Sequence, residues 1–237
     1  TSFSQRESLE NWGLLKVVYA GINAENNFVR MWAQRLNIPA EDLADGISAL
    51  LDVYRRNRYF YDYDAPLFSR SWSEGDPEIQ RGYFNLMMGS NNKPLPPRGV
   101  SEEPESPKNS YKVYFRSGSN KSLVEGLVSK MGVGADSREE FLQGLWEMLT
   151  RETGVLKQVS LVNNKNRALA TGSPLFQVDS SKIGMISQWE MYKCNRCQRN
   201  HTRVTPKMVC TAYNCKGTLK KKEPRKDDYN VSLLKSE

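Results

Sequence analysis

The spacing of hydrophobic residues near the amino terminus predicts one strand followed by two helices. In residues 12–22, apolar side chains alternate along the chain, which is typical of a strand. In residues 25–36, large apolar side chains recur every four positions and form one stripe on a short helix. A second helix is predicted after Pro39, with acidic residues in its first turn and apolar positions at Leu43, Ile47, Leu50, Leu51 and Tyr54.

The second predicted helix runs into residues 54–63, where arginines are interleaved with aromatic side chains. Arginines beside aromatic rings suit nucleic acid, because guanidinium groups pair with phosphate and rings stack on bases. The alternative is that the rings pack against a core while the arginines face solvent. We favour packing, since aromatic residues at helix ends serve packing more often than recognition.

A proline-rich polar segment, residues 89–110, predicts a linker and a domain boundary. Beyond it, a short strand is predicted at residues 111–115. Two helix starts follow, because Ser122 with Glu125 and Ser137 with Glu140 fit the Ser-x-x-Glu capping box. Strand-like segments come after Gly154, and the order of two helices and a hairpin is typical of a winged helix. The second of these helices is acidic, so we assign it no nucleic-acid contacts.

All four cysteines of the chain lie near its carboxyl terminus, as a Cys-x2-Cys pair and a second pair, with twelve residues between the two pairs. A Cys-x2-Cys turn places two thiolates on one side of the chain, and a second pair can complete a tetrahedron around Zn²⁺. Gly217, just after the last cysteine, fits a tight turn that needs a positive φ. The predicted zinc ligands are Cys194, Cys197, Cys210 and Cys215.

Other interpretations of the cysteines are two disulfides, an iron–sulfur cluster or free thiols. Disulfides fit poorly with a chain that shows no secretion signal, whereas four cysteines can ligate iron as well as zinc. The only histidine, His201, lies between the two pairs and could replace one cysteine. Because four thiolates close the coordination shell, the predicted zinc is structural and not catalytic.

Positive charge is concentrated at the same end of the chain. The net charge is +7, and residues 191–237 hold 12 Lys and Arg against 4 Asp and Glu, which leaves 22 against 23 before them. Such a patch is typical of a phosphate-backbone binder, although a solvated tail has the same composition. The residues predicted to contact nucleic acid are Arg196, Arg199, Arg203, Lys207, Lys220, Lys221, Lys222, Arg225 and Lys226.

Together these patterns predict an α+β protein with a helical N-terminal part, a winged-helix-like domain and a C-terminal four-cysteine zinc ribbon. The predicted divisions are a helical domain with an N-terminal strand at 1–88, a linker at 89–110, a winged-helix-like domain at 111–188, the ribbon at 189–222 and a basic, polar tail at 223–237.

The motifs of common enzyme classes are missing from the sequence. The string nearest to a phosphate-binding loop, residues 117–122, lacks the glycine before the lysine, and a lone histidine leaves little for acid–base chemistry. We therefore expect this chain alone not to be an enzyme. With neither a signal peptide nor a long apolar run, we also expect a cytoplasmic protein that has no membrane partner.

Residues 176–219 resemble the zinc-ribbon insert of large bacterial superfamily 2 helicases of the DEAD/DEAH-box type. The matching features are Trp189 before the first cysteine pair, Gly217–Leu219 after the second, and the acidic, tyrosine-containing segment 227–229. Residues 12–22 and 50–60 are similar, less specifically, to the region before that ribbon. The resemblance implies an accessory module excised from an ATP-dependent helicase whose motor lobes lie elsewhere in the parent protein.

Two functions follow as hypotheses. The leading one is a non-catalytic accessory module of an ATP-dependent DNA helicase, in which the zinc ribbon and basic tail contact the phosphate backbone of nucleic acid, in the first place DNA. The alternative is a protein–protein docking scaffold within a helicase, defence or repair complex, which the near-neutral first 190 residues favour.

Overall fold

The computed structural model describes residues 9–10, 13–56, 60–61, 99–103, 112–117, 122–159, 173–188, 190–212 and 214–222. Helices and sheets are both present, as the α+β prediction requires. The elements in chain order are β1 (Leu15–Tyr19), α1 (Asn27–Leu36), α2 (Ala40–Arg56), β2 (Phe60–Tyr61), β3 (Gly99–Ser101), β4 (Lys112–Tyr114), α3 (Leu123–Met131), α4 (Ala135–Glu147), a π-helical turn (Met148–Glu152), β5 (Leu156–Val159), β6 (Leu175–Asp179), β7 (Ile183–Ser187), β8 (Met191–Cys194), β9 (Asn200–His201) and β10 (Leu219–Lys222).

The chain forms two compact units that are assembled from alternating stretches of sequence. Unit 1 comprises residues 1–50, 127–141 and 183–237, and unit 2 comprises residues 51–126 and 142–182. The domains predicted from the sequence were consecutive segments instead. The difference arises because strands and helix faces that are distant in sequence pair with one another, which hydrophobic spacing does not encode.

The first helix of unit 1 has a cap at each end. Asn26 accepts a hydrogen bond from the backbone N–H of Val29 at the start of α1, and Asn37 ends the helix in the left-handed conformation at φ 53°. The stripe predicted by four-residue spacing is buried, since Trp32 is 1 % exposed. The equivalent apolar positions of α2 are buried as well, including Tyr54 at the start of the arginine-rich segment.

Aromatic side chains and a two-stranded sheet join the distant stretches of unit 1. Phe141 of α4 packs edge-on to Trp32, with ring centroids 4.9 Å apart, and lies 5.3 Å from the ring of Phe28. Strand β7 pairs antiparallel with β1, so that Val17 lies opposite Met185. Residues 183–187 were predicted to belong to the hairpin of a winged helix, but β7 pairs with β1 and lies in unit 1.

Unit 2 is built around a mixed sheet with β6 in its interior. Strand β6 pairs antiparallel with β5 and β3 and parallel with β2, while β4 pairs parallel with β3. The antiparallel β5–β6 pair follows α3 and α4 in the expected order, but β6 belongs to this larger sheet. Strand β3 lies within the segment predicted to be a linker, and Val100 is fully buried there.

One predicted capping box forms and the other does not. Ser122 Oγ accepts from the N–H of Glu125 at 3.0 Å, and Glu125 Oε2 accepts from the N–H of Ser122 at 2.9 Å. The box at Ser137 and Glu140 was wrong, because α4 already begins at Ala135 and Ser137 lies inside its first turn. Glu140 forms an ion pair with Arg35 at 2.6 Å instead.

In the described residues, no helix combines the length and the apolar character that crossing a bilayer requires.

Candidate metal centre

A three-stranded antiparallel sheet carries the cysteines of unit 1. Strand β8 is the central strand, with β10 on one side and β9 on the other. Cys194 ends β8 opposite Leu219, so the first cysteine pair begins where the central strand finishes. The small core beside it consists mainly of the buried cysteines together with Tyr192, Ala212 and Leu219, and Val204 and Met208 pack against it.

The four thiols converge on one point. Their Sγ atoms all lie within 4.8 Å of one another. Cys194 Sγ is 3.6 Å from Cys215 Sγ, and Cys197 Sγ is 3.6 Å from Cys210 Sγ. A regular tetrahedron with metal–sulfur bonds of about 2.3 Å has sulfur–sulfur edges of about 3.8 Å. The cysteines therefore lie within metal-binding distance, and the disulfide interpretation fails because bonded sulfurs are only about 2.05 Å apart.

Backbone N–H groups point at the sulfurs in both cysteine turns. Arg196 donates to Cys194 Sγ, Ala212 to Cys210 Sγ and Gly217 to Cys215 Sγ, each at 3.4 Å. These donors stabilise negative charge on sulfur, which a thiolate ligand carries. The same contact, from the N–H two residues after a cysteine to its Sγ, recurs in both pairs although one has two residues between its cysteines and the other has four.

The thiols differ in acidity because they differ in burial and in hydrogen bonds. Burial raises the pKa of Cys194, but N–H donors from Cys197 and Arg196 outweigh it and bring the pKa down to about 7. Burial raises the pKa of Cys210 strongly. Desolvation likewise raises the pKa of Cys197, whose residue is exposed as a whole. A cation at the centre of the cluster would favour the thiolate form of all of them.

Gly217 is required by close packing and not by its backbone conformation. The prediction of a positive φ was wrong, since the left-handed residues of this region are Gln198, Lys207, Met208 and Asn214. A Cβ at Gly217 would collide with Cys194 Sγ and would lie 2.8 Å from the Cβ of Arg196. The glycine lets one cysteine turn approach the other.

His201 lies beside the cluster. Its Nε2 is 3.5 Å from Cys210 Sγ and its Nδ1 is 3.5 Å from Thr211 Oγ1. Since four Sγ atoms suffice for a tetrahedral site, His201 is positioned to hydrogen-bond to a cysteine and is not needed to replace one.

Lys130 of α3 holds the second cysteine turn, a role that sequence reasoning missed. Its Nζ donates to the carbonyl of Cys210 at 3.2 Å and to that of Ala212 at 3.3 Å. Lys130 is 80 residues away from Cys210. No local sequence signal marks such a contact, because only the tertiary fold brings α3 and the ribbon together.

Arg203 must be removed from the predicted phosphate-contacting residues. Its side chain is 3 % exposed and its Nη1 lies 3.3 Å from a carboxylate oxygen of Asp45. Nη2 donates to the carbonyl of Val17, and the guanidinium lies 5.8 Å from the ring centroid of Tyr19. Lys16 Nζ also contacts Asp45, at 2.8 Å. Arg203 thus fastens the ribbon to β1 and α2 and cannot reach a ligand in solvent.

The other predicted cations occupy three kinds of environment. Arg196, Arg199, Lys207 and Lys220 are exposed, and so is Lys216, which the sequence analysis did not single out. Lys221 Nζ contacts Glu190 at 2.7 Å, and Lys222 is half-buried. Arg225, Lys226 and the rest of the predicted tail lie outside the described residues, as does Trp189.

Comparison with protein-family models, with curated proteins and with solved structures gave no match.

Proposed function

We propose that Cys194, Cys197, Cys210 and Cys215 hold one structural Zn²⁺ and complete a zinc ribbon. The observation that carries this proposal is the convergence of four Sγ atoms to within 4.8 Å at the junction of two turns with N–H donors. All-sulfur tetrahedral sites are typical of Zn²⁺ and of iron–sulfur proteins, and only metal analysis separates the two. Four protein ligands leave no position for a reacting water, so the metal supports the fold.

The exposed cations around this centre form a surface suited to nucleic acid. Arg196 and Arg199 lie on the first cysteine turn, and Lys216 and Lys220 flank Gly217. We propose that this surface contacts the phosphate backbone of DNA, as a non-catalytic module of an ATP-dependent helicase whose motor lobes belong to the parent protein. The support is this arrangement of charge together with the sequence resemblance described above.

Fluorescence anisotropy with a labelled DNA duplex tests the nucleic-acid proposal. The full chain should bind at about 50 mM salt and dissociate as salt rises, because each phosphate contact releases counterions. Arg196→Ala and Lys220→Ala should each reduce the slope of log K against log salt by about 1. Arg30→Ala, which removes an exposed cation from α1, is the matched control and should leave the slope unchanged.

Absence of binding at low salt would contradict the proposal. Equal losses in the ribbon variants and in Arg30→Ala would contradict it too, since binding would then depend on overall charge. Arg203→Ala is unsuitable for this comparison, because its buried ion pair with Asp45 makes a fold defect the expected result.

The second candidate function is docking of a protein partner, such as a motor lobe of the parent helicase. Met185 is 69 % exposed and Ile186 is 48 % exposed on neighbouring positions of β7. Successive strand residues point to opposite faces, so each face of β7 presents one large apolar side chain to solvent, and this exposure favours docking. A pull-down repeated after nuclease treatment separates the hypotheses: partners that remain indicate docking, and partners that disappear indicate nucleic acid.

A further inference from the structure

Unit 2 contains a cavity that none of the foregoing explains. Its volume is about 750 Å³, within the usual range of small-ligand sites. The π-helical turn Met148–Glu152 lines one side, and β5, β6 and the end of β3 line the others. Such turns within helices occur often at functional sites. The cavity contains no ribbon residue, and its chemistry is therefore separate from that of the cysteines.

Aromatic rings form the apolar part of the cavity. Trp146 and Phe176 both line it, with ring centroids 5.0 Å apart and planes at 77°. Phe115 also packs against Trp146, with ring centroids 5.0 Å apart. Phe176 is half-buried, so part of its ring is accessible to a ligand. A fixed ring of this kind suits a flat aromatic ligand.

Asp179 supplies a hydrogen-bond acceptor without a complete set of donors. The residue lines the cavity and is only 4 % exposed. Its Oδ1 accepts from the N–H of Ser181 at 2.9 Å and from the Ser181 hydroxyl at 2.8 Å. Within the described part of the chain, no group donates to Oδ2. Oδ2 is therefore the acceptor that Asp179 offers to a ligand in the cavity.

Among the ionic groups that line the cavity, Arg151 offers a contact to a ligand anion. Glu102 and Glu103 line the cavity, but both already contact Arg116 Nη2, at 2.6 Å and 2.9 Å. Arg151 of the π-helical turn is exposed and contacts no carboxylate of the described residues. Its guanidinium is therefore available at the rim for a phosphate.

We propose that this cavity binds a guanine nucleotide. The Watson–Crick edge of guanine presents two parallel N–H donors, at N1 and N2, which a carboxylate accepts with its two oxygens. One donor meets the unfilled Oδ2 of Asp179, and the other shares Oδ1 with Ser181. The base lies against Phe176, and the phosphate faces Arg151. Adenine and uracil do not offer this pair of donors. An arginine side chain of a peptide also pairs with carboxylates, but it brings no anion for Arg151 to contact.

Isothermal titration calorimetry on the full chain tests the site with GMP as the probe. GMP should bind, IMP should bind more weakly because it lacks the N2 amine, and AMP should bind at least about tenfold more weakly than GMP. Asp179→Asn should weaken GMP binding at least about tenfold, since an amide offers its NH₂ donors where the base needs an acceptor. The asparagine retains an oxygen that can accept from Ser181.

Arg151→Ala keeps the proposal open to refutation even if Asp179→Asn does not fold. It changes an exposed residue and should weaken GMP binding several-fold while leaving guanosine binding unchanged, because guanosine has no phosphate. Arg199→Ala, which changes another exposed arginine, this one on the ribbon, is the matched control and should bind GMP like the unmodified chain. A dT₁₁ oligonucleotide carrying one central dG, compared with dT₁₂, separates a strand-borne guanine from a free nucleotide.

Three results would overturn the proposal. These are no heat of binding with millimolar GMP, equal affinity for GMP and AMP, and binding of N-acetyl-arginine amide in preference to GMP. The last result would assign the cavity to a basic peptide. Loss of DNA binding in Arg199→Ala with unchanged GMP binding would leave this site in place and concern only the ribbon.

Discussion

Residue identities around the cysteines show which parts of the site a sequence can reveal. The four-cysteine cluster was predictable because the spacing of the cysteines is itself the chemical signal, and the structure brings all four together. Gly217 was correctly singled out, but for the wrong reason, since a glycine required by close approach looks the same in sequence as one required by a positive φ.

Gly217→Ala provides a test at this scale. The added methyl would meet Cys194 Sγ, so one cysteine turn must shift and the tetrahedron must distort. We expect at least about tenfold weaker metal binding, which corresponds to about 1.4 kcal/mol. Competition with a chromogenic zinc chelator measures this change.

Gly126→Ala is the control for that substitution. Gly126 lies within α3, and a Cβ there meets nothing within 4 Å. The alanine should leave metal binding unchanged and stabilise the chain by up to about 1 kcal/mol, because glycine is a poor helix former. Equal metal affinity in both variants would show that the close approach at Gly217 has no part in the site.

Arg203 shows what spacing alone could not supply. In sequence it is one of several basic residues near the cysteines, whereas in the structure it is buried and 158 residues from its partner Asp45. The same applies to Lys130, which lies outside the ribbon and donates to its backbone. Charge patterns identify a basic segment, but only the fold separates the cations that hold it from those that face solvent.

Individual elements were predicted where their signals are local. The bounds of α1 and α2 follow from hydrophobic spacing, and the box at Ser122 and Glu125 follows from side chains that satisfy nearby N–H groups. Strand partners were not predictable in this way. The pairings of β7 with β1 and of β3 with β6 join residues at least 76 positions apart, the separation of Val100 and Phe176.

Glu125 supports the start of α3, and its removal should have a pH-dependent cost. Burial alone would raise the pKa of Glu125, but hydrogen bonds from Ser117 and Ser122 outweigh it and lower the pKa below its ordinary value. A carboxyl with a lowered pKa stabilises the fold above its unfolded pKa of about 4.3, and this contribution is lost as pH falls through the folded value. Glu125→Ala should therefore cost about 1 to 2 kcal/mol at pH 7.

Urea unfolding at pH 7 and at about pH 3 measures this effect. The difference between the unmodified chain and Glu125→Ala should shrink at the lower pH, because the stabilising carboxylate is lost as pH falls through its folded pKa. Glu140→Ala is the control, since its predicted box does not form and its ion pair with Arg35 is exposed. A cost for Glu125→Ala that is the same at both pH values would contradict the assignment of a stabilising carboxylate.

At the scale of the whole molecule, the contacts of the ribbon link the metal site to the rest of unit 1. Lys130 hydrogen-bonds the second cysteine turn to α3, and Arg203 hydrogen-bonds the ribbon to Asp45 of α2. Gly46 of α2 packs closely against Pro206, since a Cβ at Gly46 would lie 2.9 Å from the proline ring. The consecutive domains predicted from sequence do not include these links. Because of these contacts, the cysteine cluster is a structural part of unit 1 and not a separate tail at its end.

Removal of the metal is therefore expected to change more than the cysteine turns. The core beside the cysteines contains few apolar side chains, so the free energy of metal binding is needed to order β8, β9 and β10. Because protons compete for the thiolates, and burial raises the pKa of Cys197 and Cys210, metal affinity should fall as pH falls.

Plasma emission spectrometry should give one zinc per chain before chelation and none after it. Hydrogen exchange should then show lost protection at β8 and β10, and at the end of α3 that carries Lys130, whereas the β5–β6 pair provides the internal reference. A chain that holds neither zinc nor iron, or whose β8–β10 amides stay protected after chelation, would contradict a metal-dependent ribbon and leave the thiols as ordinary core residues.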